Sequence, residues 1–191
     1  MTSVRHIDFQ GDPRDSYLDA ARACILDVGW RRTTLTEVAR RSGVSRMTIY
    51  RAWPDMKTLL GDLMTREWTA LVAARPSGDD LPAMVVATVR ALRDNELFVR
   101  IVELDPELLL PYLLSRRGRS QDLVLGLLVD RIEQGQAAGE VRDGDPTAMA
   151  RALVLGAHGF VLSAHTMVDD RVSEADLDAE LTTLLSRVLA P

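Results

Sequence analysis

The chain has 191 residues, 47% of them hydrophobic and only 5% aromatic, with one cysteine and three histidines. That length suits one sizeable core or a small domain fused to a medium one, and the cysteine count excludes an internal disulfide framework or a cysteine-rich zinc site. The net charge of −5 argues against nucleic-acid binding until it is divided along the chain: residues 1–60 hold ten Lys/Arg against seven Asp/Glu, whereas residues 61–191 hold thirteen against twenty-one. A head of +3 on a body of −8 orients a molecule on DNA, because phosphates attract one end and repel the other.

An abundance of Ala, Leu, Val and Arg, with few alternating stretches, predicts an all-α fold. The first ten residues, MTSVRHIDFQ, lack the apolar core of a secretion signal, and no run reaches the roughly 18 uncharged residues of a membrane span, so a cytoplasmic protein that engages no membrane is expected. Residues 1–12 read as an arm. Pro13 followed by Leu18, Ala21, Ile25 and Val28 gives a helical face, with Cys24 on it as an inert core thiol. This helix should stop at Gly29 in a left-handed conformation, with Trp30 packing back on Ile25. Thr34-Leu35-Thr36-Glu37 reads as a capping box opening a short second helix that ends near Ser42. Gly43-Val44-Ser45 supplies a turn, and Ser45 caps a third helix through Arg51. Pro54-Asp55 then opens a fourth helix from about Met56 to Ala74, with its exit marked by Pro76-Ser77-Gly78.

Farther on, Asp80-Leu81-Pro82 and Asp145-Pro146 look like helix starts, Ser173-Glu174-Ala175-Asp176 is a second capping box, and Gly118 and Gly139 read as stops. The expectation is about nine helices: a three-helix head over residues 1–58 and a larger helical body over 59–191. The densest information lies between Leu35 and Trp53. Ala39 is small where two short helices cross steeply, Gly43 follows four residues later, and Val38, Val44, Ile49 and Ala52 fill the wedge between them. Thr34, Thr36, Ser45, Arg46, Met47, Thr48, Tyr50, Arg51 and Lys57 are the candidate DNA contacts. Among them, Arg46, Thr48, Tyr50 and Arg51 are left free to face outward, with groups suited to base edges and phosphate oxygens.

The residues Thr34 to Ala39, Gly43-Val44-Ser45, Tyr50, Trp53 and Leu59 resemble the DNA-binding segment of TetR-family regulators, over about residues 15–60. The resemblance implies that the third helix enters the major groove, that Tyr50 and Thr36 touch phosphates, and that the fourth helix links head to body. The sequence departs from the family pattern where Met56 stands six residues after the tyrosine in place of the usual lysine, with Lys57 next to it, and where Trp53 replaces phenylalanine.

In the body, MVVATVRAL and ALVLGAHGFVL are apolar over more than one helix face and should be buried. They either make plain core or surround a cavity lined by Met64, Trp68, Met84, Phe98, Tyr112, Met149, His158 and Phe160. The family resemblance favours a cavity for a small apolar or amphipathic ligand. Arg90 offers a further polar contact. His158 and His165, seven apart on one predicted helical face, lack the spacing and the carboxylate of a metal site, and neither a metal nor a cofactor is expected. Small residues Ala152, Gly156 and Gly159, with the stripe Leu177, Leu181, Leu184 and Val188, suggest a dimer interface, and the resemblance implies a four-helix bundle across a two-fold axis there. The reading is a homodimeric, ligand-released repressor on a palindromic operator in double-stranded DNA. The alternative is a small-molecule carrier or enzyme with a merely structural helix-turn-helix head. No phosphate-binding loop, nucleophile elbow or HExxH motif supports catalysis.

Overall fold

The structure, a computed structural model, describes residues 12–73 and 80–191. The N-terminal arm up to residue 11 and the Pro76-Ser77-Gly78 exit lie outside the described residues. Ten α-helices are present among them, one more than the sequence suggests: α1 (Pro13–Val28), α2 (Leu35–Arg41), α3 (Arg46–Ala52), α4 (Met56–Ala73), α5 (Leu81–Arg93), α6 (Glu96–Leu104), α7 (Leu110–Leu114), α8 (Arg119–Ala138), α9 (Pro146–Leu162) and α10 (Glu174–Leu189). None of them is long and apolar enough to cross a membrane.

The helix starts follow from short polar side chains that accept from the otherwise orphaned first amides. Asp12, Thr34, Ser45, Asp80, Asn95, Asp145 and Ser173 each accept from a backbone amide two or three residues ahead. At Ser173 the box is reciprocal, Asp176 reaching back to the Ser173 amide at 2.8 Å. At Thr34 only half of it forms. The Thr34 hydroxyl accepts from the Glu37 amide at 3.2 Å, but the Glu37 carboxylate takes Arg40 at 2.6 Å instead. A cation one turn ahead outcompetes a neutral amide for that carboxylate.

Two glycine expectations change. Gly29 ends α1 with φ of 82° as required, but its ψ of 164° is extended and turns the chain directly into a 3-10 turn at Trp30–Arg32. Gly118 starts a helix instead of stopping one: the chain has already left α7 at Ser115, and Gly118 precedes α8, its amide donating to Gln121 Oε1 at 2.9 Å. Gly139 does close α8 in the left-handed conformation.

Two apolar clusters hold the helices together. The first gathers Leu18, Ala21, Cys24 and Ile25 of α1 with Leu35, Val38 and Ala39 of α2, Ile49 of α3, Trp53, and Leu59 and Leu63 of α4. It also takes in Leu97 and Ile101 of α6, so the head packs on a helix of the body. Cys24 is fully enclosed and burial pushes its thiol up, consistent with an inert role, whereas Val28 on the same helix is 38% exposed. The second cluster joins α5, α8, α9 and α10 through Val85, Val86, Val89, Leu128, Ile132, Ala150, Leu153, Leu181 and Leu185. Buried Asp178 on α10 pins α10 to α5, accepting from Arg90 Nε at 2.6 Å and from Arg93 at 2.7 Å.

Candidate functional site

The turn between α2 and α3 is built by local chemistry. Gly43 has φ of 70°, a conformation that a side chain disfavours, and the Val44 amide donates back to the Ala39 carbonyl at 3.1 Å. Ser45 then caps α3, accepting from the Thr48 amide at 3.2 Å and sharing a 2.8 Å hydrogen bond with the Thr48 hydroxyl. Val38, Ala39 and Ile49 are fully buried, with Val44 and Ala52 packed beside them, so the wedge is filled as its sequence requires.

What this leaves outside is a short, rigidly held helix whose free face is polar and basic. Arg46, Met47, Tyr50 and Arg51 are exposed, Met47 by 65% and Tyr50 by 49%. Arg40 and Arg41 of α2 are spent on Glu37 and Asp27, whereas neither Arg46 nor Arg51 has an ion-pair partner among the described residues. Two unpaired guanidinium groups on one helix are chemically suited to phosphate oxygens and guanine edges. Thr34 and Ser45 use their hydroxyls as caps, Thr48 is half-buried, and Thr36 is half-buried on α2. Lys57 is exposed on the first turn of α4.

The end of α3 is anchored by Trp53, which is 1% exposed. Its indole N–H donates to Asp62 of α4 at 2.8 Å, Tyr17 of α1 meets its ring edge-on at 6.3 Å, and the Arg14 guanidinium lies 5.8 Å over it. The usual phenylalanine has no donor, so here the aromatic exchange adds a polar tie between α3 and α4. A second tie joins the head to the body at the end of α1. Buried Asp105, just past α6, accepts from the Trp30 amide at 2.9 Å and faces Arg31 at 3.4 Å. Nothing in the pattern around Asp105 distinguishes it from an ordinary turn aspartate before Pro106.

The body contains a cavity of about 610 Å³ between α4, α5, α6, α7, α8 and α9. Met64, Trp68, Met84, Phe98, Tyr112 and His158 all line it, Trp68 and Phe98 meeting edge-to-face at 5.7 Å. Met149 and Phe160 do not: Met149 is buried in the second cluster and Phe160 packs against it. Both are on α9, on faces turned towards neighbouring helices and away from the void, a distinction that helical period alone does not make. Arg90 is also absent from the lining, being held by Asp178. His158 is in α9 but His165 is in a separate 3-10 turn, so the two do not share a helical face. Burial pushes the His158 imidazole below its ordinary pKa, leaving it neutral at pH 7. Sequence reasoning missed Lys57, Arg116, Arg117 and Arg119 as lining residues, although the run RRGR at 116–119 was a visible basic signal.

On α9 and α10, Ala152, Gly156, Gly159, Leu184 and Val188 are exposed, together with Leu155 at 71%. Cβ atoms added at Gly156 and Gly159 would meet nothing within 4 Å, so this surface is open to close approach. Leu181 is buried in the second cluster and Leu177 is half-buried, which removes Leu181 from any outward face.

The family profile described as "Bacterial regulatory proteins, tetR family" matches residues 18–63, from α1 through the turn to α4. The HTH-type transcriptional regulator Mb2274c of Mycobacterium bovis is 36% identical over 184 residues, covering 94% of this chain and 96% of its own length. The chain belongs to the TetR family. As such it is a DNA-binding transcriptional regulator, and its helix-turn-helix is α2 and α3. Among solved structures, Salmonella enterica GusR superposes with a TM-score of 0.62 at 22% identity, covering 97% of this chain and 99% of its own. The TetR family repressor AlkX from Dietzia sp. strain DQ12-45-1b superposes with a TM-score of 0.65 at 17% identity, covering 92% and 94%. At such identities the likeness is one of fold, and it extends over head and body alike.

Proposed function

We propose that this TetR-family regulator is a cytoplasmic, homodimeric repressor that binds a palindromic operator through α3 and releases it when a small apolar or amphipathic molecule fills the cavity of the body. The observation that carries the reading is the pairing of an unneutralised basic helix, with Arg46, Tyr50 and Arg51 presented by a fixed turn, and a largely apolar cavity that shares α4 with the head. In this reading Arg46 and Arg51 read base edges and phosphates, and Tyr50 and Thr36 hold the phosphate backbone. The head ends near residue 58, though α4 serves both parts. One seven-residue helix reads few base pairs, so specificity calls for two of them, about 34–36 Å or somewhat more apart, on symmetric half-sites. The open strip of Ala152, Leu155, Gly156, Gly159, Leu184 and Val188 is the proposed two-fold contact.

Release requires that the ligand favour the DNA-incompetent arrangement, with a coupling of typically 1–3 kcal/mol. The test is a thermal-shift screen of apolar and amphipathic compounds, followed by titration of each hit into a complex with the regulator's selected DNA. Loss of the complex at saturating ligand is expected. Tight binding in the cavity with no change in DNA affinity would sink the repressor mechanism.

A further inference from the structure

The cavity is lined mostly by apolar side chains, with a small set of charged ones among them. Its charged lining residues are Asp55, Lys57, Arg116, Arg117 and Arg119, drawn from the start of α4 and from the segment leading into α8. Asp55 does not neutralise the four cations. Its carboxylate is committed to the first turn of α4, accepting from the Thr58 amide at 2.7 Å and the Thr58 hydroxyl at 2.9 Å, which hold its pKa low. Arg117 pairs with Asp122 at 2.9 Å and Arg119 pairs with Asp62. Arg116 and Lys57 have no ion-pair partner among the described residues, and the Arg116 guanidinium rests 5.0 Å over the ring of Tyr112. His158, also in the lining, has its pKa lowered by burial and adds no positive charge at pH 7. A bound molecule therefore meets apolar walls over most of its surface and surplus positive charge where Lys57 and Arg116 border the cavity.

We infer that the ligand is an elongated amphipathic molecule with a single anionic head, a carboxylate or phosphate, held by Arg116 and Lys57 and competing with Asp62 for Arg119. This inference rests on reading the cavity as the ligand site. A guanidinium pairs with either head in a two-pronged geometry, and burial of the apolar tail supplies affinity. The competition is what links the head group to DNA. One oxygen of Asp62 pairs with Arg119 and the other accepts from the Trp53 indole at 2.8 Å, so a single carboxylate on α4 joins the cavity mouth to the end of the recognition helix. An anion that takes Arg119 removes the tie between α4 and α8 and leaves the tie between α4 and α3 intact. Where the DNA-competent arrangement keeps the Asp62–Arg119 tie, the anion favours the arrangement without it, and that is the differential affinity a shift of the DNA-binding equilibrium requires.

The test is calorimetric titration of the full chain with decanoate and decyl phosphate below their micellar concentrations and with decanol below its solubility limit. At least one of the two anions should bind tenfold or more tighter than decanol, and the preferred anion identifies the head. Arg116→Gln combined with Lys57→Gln, which leaves Arg119 in place, should cut that preference at least severalfold by lowering anion affinity far more than decanol affinity. Asp62→Asn, which keeps an oxygen for the indole and removes the competing charge, should tighten binding of the preferred anion severalfold. Decanol binding as tightly as both anions would overturn the head-group inference while leaving the cavity as a ligand site. An unchanged anion affinity in Asp62→Asn would overturn the exchange, and failure of all three compounds to bind would overturn the cavity reading together with the inference.

Discussion

At the scale of single residues, function is concentrated in side chains that the fold leaves without partners. Arg46 and Arg51 have none among the described residues, whereas Arg40 and Arg41 one helix earlier are paired. Replacing Arg46 with alanine should therefore weaken binding to specific DNA by about 1–3 kcal/mol, roughly 5- to 150-fold, and leave thermal stability nearly unchanged because the side chain is exposed. Parallel anisotropy titrations and thermal melts check both halves of that expectation. His158 gives a pH-dependent counterpart. Burial lowers its pKa in the folded chain, so the unfolded chain takes up the proton first as pH falls. The stability this group contributes is present above its ordinary pKa of about 6.5 and is lost as pH drops through the depressed folded value. His158→Gln should flatten that part of the melting-temperature profile between neutral pH and about pH 5.

At the scale of elements, the helix-turn-helix was legible because its constraints are local. Ala39, Gly43, Val44, Ser45 and Ile49 each satisfy a packing, turn or capping requirement within a dozen residues. The α2–α3 turn yields a clean prediction. A Cβ at Gly43 would meet nothing within 4 Å, so the cost of Gly43→Ala is that of the left-handed backbone alone, roughly 1–2 kcal/mol. Gly43→Asn should cost clearly less, a ranking that denaturant unfolding can read. The cavity was legible only in part, for a physical reason. Hydrophobic period shows which face of a helix is turned inward but not whether that face meets another side chain or a void. Phe98 and Phe160 have similar sequence credentials, yet Phe98 borders the cavity and Phe160 packs in the second cluster. The ties made by Asp62, Asp105 and Asp178 were illegible because their partners lie 9 to 88 residues away in sequence. Asp178→Ala should be among the most damaging changes, at about 3 kcal/mol, because it removes the carboxylate to which the largely buried Arg93 guanidinium donates and leaves it only the longer contact with Glu174 at 3.7 Å.

At the scale of the whole molecule, charge division, fold and family agree: a basic head presents α3, an acidic body holds the cavity, and α4 belongs to both. In the proposed dimer the open strip on α9 and α10 is buried, so Leu155→Glu combined with Leu184→Glu should yield a folded monomer by analytical ultracentrifugation. Its affinity for a full palindrome should fall by more than tenfold, since one head then binds alone. The central claim, sequence-specific recognition through α3, is tested most directly by selecting from a random duplex pool at fixed salt with the wild type and with Arg46→Ala and Tyr50→Ala. The account predicts that the wild type enriches a palindrome with two half-sites and that the variants enrich it weakly or not at all. Enrichment of the same sequence to the same extent by the variants, or of no sequence by the wild type at any salt, would contradict it.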